Sequence, residues 1–251
     1  MDASFRDSFL IKWKKFFGEE ELPITFYYTN EGDRAELVKP GSVHRCVIAA
    51  LQLVRNGRSL SFDAESIGCF GGRRYLGFSQ TVRPDFEYFL SCGIPGKMEG
   101  ERYKKTPEIA AEAMKLSMPF KAPARFVVWK RWDSLTQLDN PEVVVFFARP
   151  DVLSGLFTLA NFDEAEANGV LAPFGSGCSS IVHYPLIEKD AARPRAIIGM
   201  FDVSARPFVP LDKLSFAVPM PKFKHMVQNM EESFLITNSW KAVQQRIQGS
   251  K

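Results

Sequence analysis

Two short runs of β-branched and aromatic residues limit this chain more than anything else in it. They are Ile24 to Thr29 (ITFYYT) and Val143 to Ala148 (VVVFFA). Runs this short and this apolar read as strands. Each opens the same order of features: a strand, a helical pattern, a glycine-rich turn with one cysteine, then another strand. The first order reaches Gly68-Cys69-Phe70-Gly71-Gly72, and the second reaches Gly175-Ser176-Gly177-Cys178-Ser179-Ser180. The outline predicts a single unit over residues 1–251, with two pseudo-repeated halves at 20–135 and 140–235 and helices flanking them. Identity between the halves is poor, so a true duplication stays open. A pseudo-twofold axis would bring Cys69 and Cys178 to one shared site.

The other elements follow from periodicity and punctuation. Phe5, Phe9, Trp13, Phe16 and Phe17 form one helical stripe, read as a docking helix that closes the core. Cys46 to Val54 reads as a buried helix ended by Asn56-Gly57. Ser59 to Ile67 and Arg73 to Phe78 read as a strand and its return. Pro84 to Ser91 is a short helix. Gly93 to Lys105 is a long polar loop. Thr106-Pro107-Glu108 starts a helix with an N-cap, proline at the first position and an acid in the first turn. Pro119 and Pro123 separate it from the strand Phe126 to Trp132. In the second half, Pro150-Asp151 starts a helix. Ile181 to Tyr184, Ala196 to Asp202 and Leu214 to Val218 read as strands. Pro221 to Phe234 and Trp240 to Ile247 read as helices. Hairpin-like and crossover-like links together predict an α+β fold, with mixed or antiparallel sheets packed against helices.

Composition narrows the function classes. The chain has 251 residues, 45% hydrophobic and 24% charged, which is ordinary globular usage. Its 22 phenylalanines call for a Phe-rich interior. A net charge of +3, with only short basic runs, argues against a nucleic-acid partner. Charges at Asp2, Arg6, Asp7, Lys12, Lys14 and Lys15 interrupt any signal-peptide core, and no run is long enough to span a membrane. The expected compartment is the cytoplasm, where the four cysteines stay reduced. Oligomeric state is open.

The segment Arg45 to Phe78 (RCVIAALQLVRNGRSLSFDAESIGCFGGRRYLGF) resembles a prokaryotic family known as domain of unknown function 169. The likeness continues through Gly93 to Lys105, Pro141 to Pro150 (PEVVVFFARP), Gly175 to Ser179 and Leu214 to Pro219 (LSFAVP). It implies a prokaryotic cytosolic origin, one shared architecture and cysteines in common at Cys46, Cys69 and Cys178. Cys92 fits the pattern less well. The resemblance supplies no reaction.

Three constellations carry chemistry. The first is Cys46, Cys69 and Cys178. Thiolates bind soft metals and iron–sulfur clusters, and glycine-rich turns aim amides at sulfur or at an anion. This set predicts a cofactor-binding protein with a metal or iron–sulfur cluster, a redox partner, and Cys92 or His44 as a fourth ligand. The alternative is inert core thiols. The second is an anion pocket for a small-molecule ligand, with Gly71, Gly72, Arg73 and Arg74 in one turn and Gly175 and Gly177 in the other. It has neither the phosphate-loop lysine nor dinucleotide spacing. The third takes Cys178 as the nucleophile of a thiol enzyme, with His183, His44 or His225 as base. Asp63 and Glu65 are a weaker carboxylate pair, and the 93–105 loop reads as a lid hinged at Gly93, Gly96 and Gly100.

Overall fold

The computed structural model describes residues 1–43, 46–117 and 120–249. His44, Arg45 and Pro119, which the sequence reading uses, lie outside the described residues.

The strands are β1 (Ile24–Thr29), β2 (Glu36–Leu37), β3 (Leu60–Phe62), β4 (Phe126–Arg131), β5 (Val143–Ala148), β6 (Val170–Leu171), β7 (Ala196–Gly199) and β8 (Leu214–Pro219). The helices are α1 (Ala3–Phe17), α2 (Val47–Arg55), α3 (Phe70–Tyr75), α4 (Phe86–Phe89), α5 (Pro107–Leu116), α6 (Pro150–Ala160), α7 (Tyr184–Lys189), α8 (Met220–Asn229) and α9 (Asn238–Gly249). The fold is α+β, as the punctuation predicts.

All these strands join one mixed sheet in the order β2-β3-β4-β1-β5-β8-β7-β6. Its two halves repeat each other in register. In the first, Ile24 pairs with Arg131 and Thr29 with Phe126; in the second, Val143 pairs with Pro219 and Ala148 with Leu214. Leu60 opposite Trp129 is matched by Ile197 opposite Ala217, and Phe62 opposite Val127 by Gly199 opposite Ser215. Each outermost pair, β2 with β3 and β6 with β7, is parallel. The halves meet antiparallel along β1 and β5, where Thr25 faces Val144, each the second residue of its strand. A pseudo-twofold axis therefore passes between Thr25 and Val144.

Helices cover both faces, which is why β5 is buried at every position. On one face lie α1, α6, α8 and α9 with Phe146 and Phe216. The aromatic stripe of α1 is the docking surface its spacing predicts. Trp13 stacks on Phe17 at 4.3 Å, Phe9 meets Trp132 at 4.9 Å, and Phe17 meets Trp240 at 5.2 Å. Each such ring contributes roughly 1.5–3 kcal/mol through burial. On the other face lie α2 and the segment that starts at Cys178, packed on Phe26, Trp129, Val145 and Ile197.

Three predicted strands need correction. Ser59 to Ile67 is extended only at Leu60–Phe62, because Asp63 Oδ1 accepts the amides of Glu65 and Ser66 and turns the chain. Arg73 to Phe78 is no returning strand: its first residues belong to α3. Ile181 to Tyr184 lies in a π-helical turn (Ser179–His183) that runs into α7. The helix start at Thr106 is as read, with its hydroxyl accepting the Ile109 amide.

Candidate functional site

The repeat determines which residues meet on the α2 face. Cys46 is the N-cap of the helix after β2, and Cys178 precedes the helical segment after β6. The two are topological counterparts, so Cys69 and Cys178 hold different places in the repeat, although charge on Cys69 reaches the Cys178 thiol. Cys69 follows β3 and leads into α3. The segment after β7 holds Asp202 and leads into a single 3-10 turn, Arg206–Phe208. Asp202 is not the register counterpart of Cys69: it lies three residues after Gly199, whereas Cys69 lies seven after Phe62, the residue that Gly199 matches. Packing respects the symmetry: α2 touches the Arg206–Phe208 turn, while α3 touches the Ser179–His183 turn.

Glycines permit these approaches. A Cβ on Gly72 would stand 3.1 Å from Val47 and from Ile67. One on Gly177 would stand 2.9 Å from Ala205 Cβ, 3.2 Å from Met200 Sδ and 3.3 Å from Ile48. One on Gly175 would meet Ser179 Oγ at 2.5 Å, whereas Gly71 meets only Cys69 Sγ, at 3.9 Å. These glycines are close-packing positions beside the thiols, and the two predicted glycine-rich turns are the starts of helical segments.

The thiols differ in their surroundings. Cys178 is buried, and Cys46 and Cys69 are partly so. The Gly72 amide donates to Cys69 Sγ at 3.5 Å, in the manner of an N-cap. Burial pushes the Cys46 thiol up, the amides of Ala49 and Ile48 oppose it, and charge on Cys69 and Asp202 adds to it. Burial also drives Cys178 well up, with further contributions from Cys46, Cys69 and Asp202. Cys178 thus lies within electrostatic reach of Cys46, Cys69 and Asp202. They do not form a ready single-ion centre: among the described residues, no group of three or more His, Cys, Asp or Glu side chains is close enough to hold a metal ion.

Sequence reasoning missed Asp202, Tyr103 and Met200. Asp202 was read as the end of a strand. Its Oδ2 accepts the Gly177 amide at 2.9 Å, and its Oδ1 accepts the Ser204 amide at 3.0 Å, the Ser204 hydroxyl at 2.8 Å and the Tyr103 hydroxyl at 3.2 Å. Met200, buried, takes φ +67° where the chain leaves β7, a backbone cost of about 1–3 kcal/mol. No local sequence signal marks Asp202, because its partners Tyr103 and Gly177 lie 99 and 25 residues away.

Other expectations fare less well. Arg73 Nε donates to the Ile67 carbonyl at 2.6 Å, and Arg74 Nη1 to the Gln80 carbonyl at 3.2 Å, so both arginines serve the local turn. Cys178, buried with a raised thiol, is not set up as a nucleophile. His183 is buried among Tyr75, Phe120 and Tyr184, and burial, then Arg74, lowers its pKa. Its Nδ1 has no hydrogen-bond partner among the described residues. His225 is exposed on α8, a helix of the opposite face. Asp63 is spent on its own turn, and Glu65 is exposed. The 93–105 loop is wound tight: a Cβ on Gly100 would lie 2.2 Å from the Gly93 nitrogen. Its glycines permit close backbone approach. Tyr103 carries the loop to Asp202 and packs on Phe174, whose ring Lys104 also covers at 4.8 Å. Exposed Cys92 lines a separate, open depression that none of the other cysteines borders.

A pseudo-symmetric α+β sheet with three cysteine thiols on one face defines the class of protein. The model of domain of unknown function 169, described as an uncharacterised ArCR family, matches residues 14–229, and the chain belongs to that family. No curated protein and no solved structure matches it. No helix among the described residues is long and apolar enough to cross a membrane.

Proposed function

We propose that the chain is a cytoplasmic iron–sulfur protein whose cluster is held by Cys46, Cys69 and Cys178. One observation carries this reading: three thiols from three segments, none in a disulfide, share one electrostatic neighbourhood at helical starts on one face of the sheet. Amides directed at sulfur are what a ligated thiolate needs, and they tune a cluster's potential. A cluster binds each thiolate to a different iron, so its ligands stand farther apart than those around a single ion. That suits sulfurs that influence one another without forming a single-ion site. Binding to a cationic core would favour the thiolate form that burial disfavours at Cys46 and Cys178.

Exposed Phe70 and Phe201 adjoin Cys69 and Asp202 in sequence, and exposed Phe174 packs on Tyr103. That apolar rim suits contact with a redox partner or a small-molecule ligand. An anionic ligand at Arg73 and Arg74 has less support, because both guanidinium groups are already engaged with backbone carbonyls.

The test is anaerobic purification, followed by reconstitution with iron and sulfide. The expected product is brown, holds iron and acid-labile sulfide in equal amounts, and loses both in Cys46→Ser, Cys69→Ser and Cys178→Ser. A colourless wild type that stays free of iron and sulfide after reconstitution overturns the reading.

A further inference from the structure

Counted from the two cysteines that the repeat makes counterparts, the fifth residue after Cys46 is Leu51 and the fifth after Cys178 is His183. Leu51 is fully buried in the apolar layer of the α2 face, and His183 is only 3% exposed. A leucine fills such a place with nothing left unpaired. The imidazole instead leaves Nδ1 buried with no hydrogen-bond partner among the described residues. A buried polar atom without a partner costs stability, and it asks for a partner from outside the chain. The backbone at His183 is wound as a π-helical turn, an irregularity that recurs at functional sites.

We infer that the cage around His183 is a binding site for a small phenol-type ring, with Phe120 standing in the ligand's place. This stands apart from the iron–sulfur reading. The rings of Tyr184 and Tyr75 lie 5.5 and 5.9 Å from the imidazole and meet it steeply, at 62° and 63°. Phe120, at 5.7 Å and 36°, comes nearest to lying parallel to it. All three rings are half-buried, so the cage lies just beneath the surface. Phe120 has no polar atom to offer Nδ1. A phenol of the same outline has a hydroxyl, which both donates and accepts and so suits either tautomer of a neutral imidazole. Burial, and then the charge of Arg74, keep that imidazole neutral.

Phe120 is held by its backbone. Its carbonyl accepts Gln80 Nε2 at 2.6 Å, and the Gln80 carbonyl in turn accepts Arg74 Nη1 at 3.2 Å. Two residues on, the Ala122 amide donates to the Gly77 carbonyl at 2.9 Å. These bonds fix the chain and leave the ring to change rotamer, which is how the ligand enters.

The experiment is titration of the full chain with phenol and with benzene, read by calorimetry and by the imidazole nitrogen resonances of His183. Phenol is expected to shift the Nδ1 resonance saturably in wild type, and benzene to leave it in place. Phe120→Ala removes the plug and is expected to bind phenol about tenfold tighter or more, as for a site whose open form is the minor one. Phe120→Leu serves in the same way if the alanine variant does not fold. His183→Leu copies the residue of the first half, keeps an apolar filling and is expected to lose the preference for phenol over benzene. Equal binding of phenol and benzene by the Phe120 variants shows an apolar cavity only and overturns the inference. A wild type whose His183 resonances ignore phenol also overturns it, and leaves a bound water as the partner of Nδ1.

Discussion

The amide of Gly177 donates to Asp202 Oδ2 at 2.9 Å, joining the residue before Cys178 to the segment that leaves β7. Gly177 has no room for a side chain, since a Cβ would lie 2.9 Å from Ala205 Cβ. Gly177→Ala must push the two segments apart. The expected cost is about 1–3 kcal/mol, as for other overpacked positions, measured by urea denaturation. Gly249→Ala is the control, because nothing among the described residues lies within 4 Å of its Cβ position, and it should not lower the midpoint.

Tyr103 anchors the 93–105 loop by two separable contacts, a hydrogen bond to Asp202 and a ring contact with Phe174 at 6.3 Å. Tyr103→Phe removes the first and keeps the second. The site is part-buried, so a loss of about 0.5–1.5 kcal/mol is expected. Tyr103→Ala removes both and should cost more. Hydrogen exchange reports this directly: amides of the loop should exchange faster in Tyr103→Phe and faster still in Tyr103→Ala, with the β5 and β8 amides unaffected. Equal exchange in all three proteins would show that Tyr103 does not hold the loop.

Much of the frame was legible because local signals and tertiary needs agree there. β5 is an unbroken apolar run because helices cover it on both faces, and the stripe of α1 buries Phe9, Trp13, Phe16 and Phe17. The misread segments are those where glycine and cysteine act through tertiary contact. Gly71-Gly72 reads as a hairpin turn by composition, yet Gly72 lets α3 lie on α2, and Cys69 caps the helix through the Gly72 amide. Ile181-Val182 has strand propensity, yet both are fully buried in a π-helical turn against the α2 face. The three cysteines were visible as candidates. Asp202 was not, because its hydrogen bonds to the Gly177 amide and the Tyr103 hydroxyl join segments far apart in the sequence.

Burial orders the thiols by reactivity. Cys92 is exposed, whereas Cys46 and Cys178 have thiols raised by burial and by neighbouring negative charge. Only the thiolate alkylates. In the cofactor-free chain at neutral pH, iodoacetamide should therefore modify Cys92 first and Cys178 last, followed by peptide mass spectrometry. A raised thiol also means that labelling of Cys46 should climb only as pH passes above the ordinary thiol range. Rapid labelling of Cys178 at neutral pH would contradict its buried placement and revive a nucleophilic role.

The most buried carboxylate of the opposite face sets an acid limit on stability. Asp139 is fully buried and accepts from Lys130 Nζ at 2.9 Å, from the Thr136 amide at 2.7 Å and from the Thr136 hydroxyl at 2.9 Å, with Tyr27 donating as well. Burial alone would raise its pKa, but the bonds from Tyr27, Lys130 and Thr136 outweigh it and hold the carboxyl below its ordinary value. A depressed folded pKa contributes stability that is complete above the unfolded value, about 3.9, and is lost as pH falls through the folded one. Wild type should therefore lose melting temperature in acid below roughly pH 4. Asp139→Asn leaves the Lys130 charge buried without its counter-ion, at an expected cost of about 3–5 kcal/mol near neutrality. It should also flatten the acid limb, because the titrating group is gone. A variant as stable as wild type at neutral pH, with the same acid slope, would show that the pair does not hold this face of the sheet together.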